Sequence, residues 1–334
     1  MRKLFKGLIK AGTIIGALAL TIGVLNIIPP KKVLNGETNP FIIEKGSRPM
    51  IAAHRGGKNL NPENTFKAID YSVENFDIDI IEMDLCLTKD NHLILNHNMT
   101  IDSSTEEKEV DGDYYVREHN LDELQTKNFG YNFKDSQGNY PYRSILEGVK
   151  DEDKSKVLEE NKLRVVTIDE LFIKYASTDI KYIIEIKDDE QDGLDAADIL
   201  VEKIEQYHVE DKVIIGTFHT EVESHVEETY PHIMRGASLG SAAGFIVTQM
   251  LGVNIFYNAT VTALQIPTDY TLKGITLQLA KKNYINRAHR RNISVQFWTI
   301  NDKEEMRMLI EMGADVIMTD NPDVLYELLN EMGY

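Results

Sequence analysis

The sequence predicts an α/β fold: a TIM-type (β/α)8 barrel with a rim insertion after its second strand, preceded by one apolar N-terminal helix. The 334-residue chain has the length of one such barrel with insertions. After residue 50, strand-like runs occur eight times, most of them followed by an amphipathic stretch. This alternation is typical of parallel strands joined by right-handed crossovers, and eight such units close into a barrel.

The strand-like runs are short and apolar, and the stretches between them have helical spacing. After the third run, for example, Ile199, Leu200 and Ile204 recur on one helix face. The eight runs lie at 50–53, 78–87, 182–184, 213–215, 233–234, 263–266, 294–298 and 315–318.

The second run departs from this alternation because a hairpin follows it. Residues 89–91 are typical of a turn, and residues 92–96 return along the strand. A long polar insertion, about 98–166, comes next. An insertion after a barrel strand lies on the catalytic rim, so we expect it to shape access to the site.

The N-terminus has the pattern of a membrane segment. Residues 11–30 carry no charge, and a helix of about 20 residues spans a hydrocarbon core of about 30 Å. Basic flanks favour an extracytoplasmic domain on a single-pass anchor in the cell membrane. We expect 1–32 to be this anchor, 33–49 a linker and 50–334 the catalytic domain; a cleaved secretory signal is the alternative.

Charge and cysteine content exclude some classes of function. The net charge is −18, although the first 32 residues carry six basic residues and no acidic one. The acidic remainder argues against nucleic-acid binding, which needs basic patches. The single cysteine, Cys86, excludes a disulfide framework, and its place in a strand-like run predicts a buried hydrophobic role.

Candidate phosphate-binding and proton-transfer residues stand where the first strand ends. His54 can move a proton near neutral pH, and Arg55 offers a planar fork of donors to phosphate oxygens. Glu63, at the start of the first helix, can hold Arg55 by a salt bridge or serve only as a helix cap. A second histidine, His97, ends the hairpin return at the same rim.

Three carboxylates predict a cation site. Glu82 and Asp84 share one face of the second strand and repel each other unless a cation lies between them. Glu185, at the end of the third strand, completes an oxygen cage that suits Mg²⁺ or Ca²⁺. Lys187 can balance phosphate charge, and Trp298 can form a wall for the substrate or pack in the core.

These residues occur in ordered motifs. From about residue 50 to its C-terminus the chain resembles the glycerophosphodiester phosphodiesterase family. The matching motifs are His54-Arg55-Gly56, Pro62-Glu63-Asn64-Thr65, Glu82-x-Asp84, His97, Glu185-Ile186-Lys187, Trp298-Thr299-x-Asn301 and Thr319-Asp320-Asn321-Pro322.

The resemblance implies a phosphoric diester hydrolase that releases glycerol phosphate and an alcohol. It implies that Glu82, Asp84 and Glu185 hold one divalent cation, Ca²⁺ or Mg²⁺. It further implies general base and general acid roles for His54 and His97. Phosphate contacts would come from Arg55 and Lys187, with Glu63 in support. Either water or a substrate hydroxyl can be the nucleophile.

Two positions depart from the family pattern. Asn98 follows His97 where the family usually has aspartate, which can alter the orientation of the histidine. Residues 165–167 lack the proline that is usual there.

One stretch, 236–268, contains no charged residue. It is compatible with a buried barrel helix, with a second membrane span, or with a surface that faces lipid.

Two alternatives to a glycerophosphodiesterase remain open at this stage. One is a lysophospholipase D or phospholipase C acting on membrane lipids, and the other is a non-catalytic surface binding module. The acidic triad favours the metal-dependent enzyme.

Overall fold

The computed structural model describes residues 2–107 and 113–334 and has a near-closed parallel barrel at its centre. The strands are β1 (Met50–Ala53), β2 (Ile80–Leu87), β3 (Leu93–Leu95), β4 (Lys181–Ile186), β5 (Val213–Gly216), β6 (Ala263–Ile266), β7 (Asp269–Leu272), β8 (Ile275–Gln278), β9 (Ser294–Phe297) and β10 (Val316–Thr319). Seven of them form the barrel wall in the order β5-β4-β2-β1-β10-β9-β6.

Helices surround this wall and connect its strands. They are α1 (Arg2–Leu25), α2 (Phe66–Asn75), α3 (Leu121–Leu124), α4 (Lys154–Glu160), α5 (Ile168–Tyr175), α6 (Glu190–Tyr207), α7 (Thr220–Thr229), α8 (Leu239–Met250), α9 (Lys282–His289), α10 (Lys303–Met312) and α11 (Pro322–Met332). The predicted β/α alternation and barrel class are confirmed.

The eighth barrel strand is reduced to isolated bridges. Isolated bridges join Ile215 to Arg235 and Gly236 to Ala263, and these bridges close the circle between β5 and β6. The strand predicted at 233–234 therefore pairs two residues later, and only through these single bridges. Backbone hydrogen bonds accompany these bridges: Gly236 N donates to the Ile215 carbonyl and Ala237 N to the Ala263 carbonyl, each at 2.9 Å.

Local capping positions the helices that follow the rim. The Thr65 hydroxyl accepts a hydrogen bond from Ala68 N at the start of α2. At α5, Thr167 and Glu170 form a reciprocal capping box. Residues 165–167, which lack the family's proline, thus provide a strong helix start by another route.

The segment 33–49, predicted to be a linker, packs against the barrel. Phe41 is fully buried in the interior cluster of the barrel, together with Ile80, Ile214 and Val316. Asn39 donates from Nδ2 to the carbonyl oxygens of Thr262 and Asn292, at 2.9 Å each. The segment therefore forms the floor of the barrel instead of a free spacer.

The N-terminal segment is helical from Arg2 to Leu25. Beyond it, Asn26 donates from Nδ2 to the Gly252 carbonyl at 2.6 Å. Among the described residues, no helix is both long and apolar enough to cross a membrane. The membrane span predicted within 1–32 is therefore not confirmed.

The hairpin and insertion after β2 are confirmed. β3 pairs antiparallel with β2, and the insertion packs its own small core around Ile101, Leu124 and Phe129. Cys86 is fully buried in that core, as predicted, and burial raises the pKa of its thiol. Residues 108–112 of the predicted insertion lie outside the described residues.

The uncharged stretch 236–268 contributes a barrel helix. In α8, Phe245 and Ile246 are buried against the core, whereas Leu239, Val247 and Met250 are exposed. The helix has 12 residues, so the stretch does not form the second membrane span that the sequence left open.

An ion-pair cluster at Asp70 joins α2 to α5 and to the end of the insertion. Asp70 is buried and lies 2.6 Å from Lys174 Nζ, 2.5 Å from Lys162 Nζ and 2.6 Å from the Tyr175 hydroxyl. Burial alone would raise the pKa of Asp70, but these three donors outweigh it and lower that pKa. The charged form of Asp70 therefore stabilises the fold.

We expect Asp70→Asn to lower the free energy of unfolding at pH 7 by about 2 kcal/mol, because both lysines remain partly exposed to water. A lowered pKa contributes stability above the unfolded value of about 4, and this contribution is lost as pH falls. Urea unfolding at pH 7 and at pH 3, which is below the unfolded value, should show a smaller stability difference between the parent protein and Asp70→Asn at pH 3. Asp151→Asn, which breaks the exposed pair with Lys154, should leave the free energy of unfolding unchanged at both pH values.

Candidate active site

A cavity of about 190 Å³ opens at the carboxyl ends of the barrel strands, where TIM-barrel enzymes place their active sites. One side of it is charged and the other is mostly apolar. The charged residues are His54, Arg55, Lys58, Glu82, Asp84, His97, Glu185 and Lys187, and the remaining side includes Phe218, Ala237, Trp298 and Met318. Eight of the nine predicted site residues line this one cavity.

A tight turn after β1 aims the first motif at the cavity. Arg55 and Gly56 both have positive φ, 51° and 81°, and a Cβ on Gly56 would lie 2.9 Å from Ile69 Cγ1. The turn lets the Arg55 backbone N–H donate to Glu82 Oε2 at 2.8 Å. Glycine at position 56 is therefore required for this turn.

Three carboxylates meet in the cavity as predicted. One oxygen from each of Glu82, Asp84 and Glu185 lies within 4.8 Å of the others. Burial, reinforced by Asp84 and opposed by His54, raises the pKa of Glu82 to about 8. Burial and Asp84 also raise the pKa of Glu185. This crowding, with oxygen donors alone, is the chemistry of a divalent cation site.

Two cationic side chains border the carboxylates. Lys187 Nζ lies 2.6 Å from Glu185 Oε1 and 3.7 Å from Asp84 Oδ1. Arg55 Nη1 lies 3.1 Å from Glu63 Oε2, which confirms the predicted salt bridge. Arg55 Nε lies 3.4 Å from Asp84 Oδ2 but, within the described part of the chain, has no hydrogen-bond acceptor. A buried, unsatisfied donor at the cavity wall fits an anionic ligand.

Glu63 is the one predicted site residue outside this cavity. It lines an adjoining pocket with Pro62, Ser103 and Phe133. Since Ser103 and Phe133 belong to the insertion, that segment forms one wall of the approach to the site. The predicted role of the insertion in shaping access is consistent with this position.

His54 is held by a carboxylate that sequence reasoning did not assign to the site. His54 Nδ1 lies 2.5 Å from Asp320 Oδ1, and Nε2 lies 3.9 Å from Glu82 Oε2. Asn301 Nδ2 donates to Asp320 Oδ2 at 2.7 Å. Burial lowers the pKa of His54, but Glu82 and Asp320 outweigh it, so this pKa is raised.

His97 lies in the opposite electrostatic environment. Its pKa is lowered by burial and by the cationic Arg55 and Lys187, against the attraction of Asp84. Asn98 Oδ1 lies 2.8 Å from His97 Nδ1, and Asn98 Nδ2 donates to Ser103 Oγ at 3.0 Å. Asparagine thus makes, through its carbonyl oxygen, the contact for which the family usually has aspartate.

Trp298 lines the cavity and also packs against the interior cluster of the barrel, so it takes both of the positions that the sequence left open. Its ring meets Phe218 edge-on with a centroid separation of 5.8 Å. Phe218 is 43% exposed, and Lys187 Nζ lies 5.8 Å from its ring centroid. No sequence motif indicated Phe218, because its place beside Trp298 depends on β5 and β9 meeting across the cavity.

The residues missed by sequence reasoning are mainly supports. Asp320 and Asn301 orient His54, Lys58 Nζ lies 3.6 Å from Asp320 Oδ2, and Asn64 Nδ2 donates to Asp84 Oδ2 at 3.2 Å. Asp320 and Asn301 stand in motifs at the ends of the last two strands, and this position was the available signal.

Comparison with known proteins agrees with this geometry. The model of the glycerophosphoryl diester phosphodiesterase family matches residues 54–324. The chain belongs to this family. It is accordingly a phosphoric diester hydrolase, and the alternative of a non-catalytic binding module is set aside.

Two curated relatives each match most of the chain. A glycerophosphodiester phosphodiesterase of Caldanaerobacter subterraneus subsp. tengcongensis is 25% identical over 284 residues, which is 85% of this chain and 99% of that protein. A lysophospholipase D of Rattus norvegicus is 23% identical over 312 residues, which is 84% of this chain and 86% of that protein.

Solved structures share the barrel fold. The glycerophosphoryl diester phosphodiesterase domain of an uncharacterized Mycobacterium tuberculosis protein has a TM-score of 0.68 at 14% identity, over 85% of this chain and all of that one. An Oleispira antarctica phosphodiesterase, solved with the product sn-glycerol-3-phosphate, has a TM-score of 0.59 at 18% identity over 85% of this chain and 97% of that one.

We expect Asp320→Asn to lower kcat at least about tenfold, because the imidazole loses the carboxylate that fixes its tautomer. Loss of that charge also lowers the pKa of His54. If His54 must be neutral to act, the acidic limb of the pH–kcat profile should move to lower pH. Glu327→Gln, an exposed change on α11, is the control; an unshifted acidic limb in Asp320→Asn would contradict this assignment.

Proposed function

We propose that this enzyme hydrolyses glycerophosphodiesters to glycerol phosphate and an alcohol, with one divalent cation and two histidines. One observation carries the proposal: three carboxylate oxygens within 4.8 Å of one another lie in a cavity that also contains His54 and His97. The printed names of the relatives support the substrate class.

The cation would be held by Glu82, Asp84 and Glu185, and Ca²⁺ or Mg²⁺ fits these hard oxygen donors. When bound, such an ion supplies Lewis-acid stabilisation of charge on the phosphoryl oxygens. It would also offset the burial and the repulsion from Asp84 that together raise the pKa of Glu82 and of Glu185.

Arg55 and Lys187 bind and orient the phosphate. The Arg55 guanidinium is held by Glu63 at Nη1 and lies beside Asp84 at Nε, and this buried Nε has no hydrogen-bond acceptor among the described residues. Lys187 adds a second positive charge across from it. Preorganised donors stabilise developing negative charge without reorganisation during the reaction.

The two histidines divide the proton transfers. Asp320 holds His54 at Nδ1, which leaves Nε2 towards the cavity as a base, and the raised pKa of His54 favours keeping the proton it takes. The lowered pKa of His97 favours release of a proton to the leaving oxygen. The proton taken by His54 comes either from water or from the glycerol hydroxyl of the substrate, which would first give a cyclic phosphate.

An extracytoplasmic location, by anchor or after signal cleavage, stays a prediction from the basic and apolar N-terminal sequence. Protease shaving of intact cells, followed by detection of the chain, would test it.

Removing one carboxylate should weaken cation binding directly. We expect Glu185→Gln to lower the affinity for Ca²⁺ or Mg²⁺ at least about tenfold in isothermal titration calorimetry, because a charged ligand is lost. The exposed Glu221→Gln on α7 should bind like the parent protein. Equal affinities in both variants would exclude Glu185 as a ligand.

Phosphorus NMR of a substrate panel tests the reaction itself. We expect glycerophosphocholine to yield glycerol phosphate with added cation and to remain intact with chelator. His54→Ala and His97→Ala should each lower kcat by about 10²–10⁴-fold, the usual contribution of acid–base groups. His232→Ala, an exposed histidine paired with Glu205, is the matched control. Full turnover in chelator would refute metal dependence, and a transient cyclic phosphate would identify the hydroxyl route.

A further inference from the structure

The β7–β8 hairpin has one wholly apolar face. Its register pairs Tyr270 with Leu277 and Leu272 with Ile275. Cross-strand partners and alternate residues share a face of a sheet, so these four side chains lie together. The opposite face carries the polar set Asp269, Thr271, Thr276 and Gln278. The hairpin is therefore amphipathic along its whole length.

The apolar face is open to solvent. Tyr270 is 49% exposed, Leu272 54% and Ile275 67%, and only Leu277 packs against the main core. Within the residues that the structure describes, β7 and β8 form a separate two-stranded sheet. An isolated hairpin gains little stability from its own contacts, so an exposed apolar face here indicates a surface that meets a partner.

The hairpin stands on the catalytic rim, beside the apolar side of the cavity. It follows β6, whose Gln265 lines the cavity, and β6 pairs with β9, which leads to Trp298. Its base is fixed because Leu279 N and Ala280 N both donate to the Thr268 carbonyl, at 2.8 and 3.0 Å.

Charge around the hairpin favours a lipid surface. In this chain acidic residues outnumber basic ones, 54 to 36, yet residues 236–282 contain one acid, Asp269, and three lysines. Lys273 and Gly274 form the turn with positive φ, 48° and 80°, so a lysine occupies the tip between Leu272 and Ile275. Apolar side chains around a cationic tip complement acyl chains beneath phosphate head groups.

We propose that the apolar face of the β7–β8 hairpin docks on a lipid surface and brings acyl-bearing glycerophosphodiesters, the lysophospholipids, to the cavity. The substrate class rests on the proposed hydrolase function, whereas the docking does not. The docked hairpin places the cavity mouth at the head-group level, where a lysophospholipid presents its phosphodiester. The polar face of the hairpin remains in water.

Site-specific labelling tests the docking in the full chain. Cys86 is the single cysteine and is buried, so an introduced surface cysteine can be labelled selectively with an environment-sensitive nitrobenzoxadiazole dye. We expect vesicles of phosphatidylcholine with phosphatidylglycerol to shift the emission of labelled Ile275→Cys to the blue. The neighbouring Thr276→Cys, on the polar face, should not shift. No shift at Ile275→Cys, or equal shifts at both positions, would overturn the proposal.

Kinetics test the substrate class. Leu272→Asp should lower kcat/KM at least tenfold on micellar lysophosphatidylcholine and leave it within twofold on soluble glycerophosphocholine, while Thr271→Asp should change neither. An equal loss on both substrates, or no loss on either, would refute the role of the hairpin.

Absence of turnover of both substrates by the parent protein would refute the proposed hydrolysis, and the vesicle shift would still report on docking. A parent dimer in sedimentation velocity that Leu272→Asp dissociates would assign the face to a second copy instead.

Discussion

The repulsion among Glu82, Asp84 and Glu185 is the constraint on which the rest of the site depends. Two buried carboxylates and one half-buried carboxylate, whose oxygens lie within 4.8 Å of one another, are tolerable only with positive charge beside them. Arg55 and Lys187 supply part of it, and the Arg55 backbone N–H supplies a further donor. The elements that bring these groups together, β1, β2 and β4, are adjacent in the barrel wall. The charges that make this cluster tolerable therefore also line the cavity.

The site divides by strand position into two chemical halves. β1, β2, β3 and β4, with the turns that follow them, present acids, histidines and cations, whereas β5 and β9 lead to Phe218 and Trp298. Under the proposed function, the first half would bind the cation and the phosphodiester group, which is common to all substrates of a phosphodiesterase. Under the proposed function, the second half would contact the part of the substrate that extends beyond the phosphate. Substrate preference should therefore be set by a few apolar residues that the charged half does not constrain.

Much of this arrangement follows from the sequence, because local signals and motif order point the same way. The alternation of strands and helices predicted the barrel, and polar residues at strand ends predicted eight side chains of the cavity. Contacts between residues distant in sequence were missed. Asp320 reaches His54 only when the last strand lies beside the first, and the burial of Phe41 depends on a closed barrel. The β7–β8 hairpin was missed because its apolar alternation is short and includes a lysine turn.

The burial of Phe41 inside the barrel has a mechanical consequence. A chain tethered through its amino terminus would not hang from a free hinge, since the segment before β1 is bonded to the loops at Thr262 and Asn292 and ends in the barrel interior. A force applied at the amino terminus would therefore act on the contacts that Asn39 and Phe41 make with the barrel. The orientation of the cavity mouth relative to any attachment point at the amino terminus is thereby restricted.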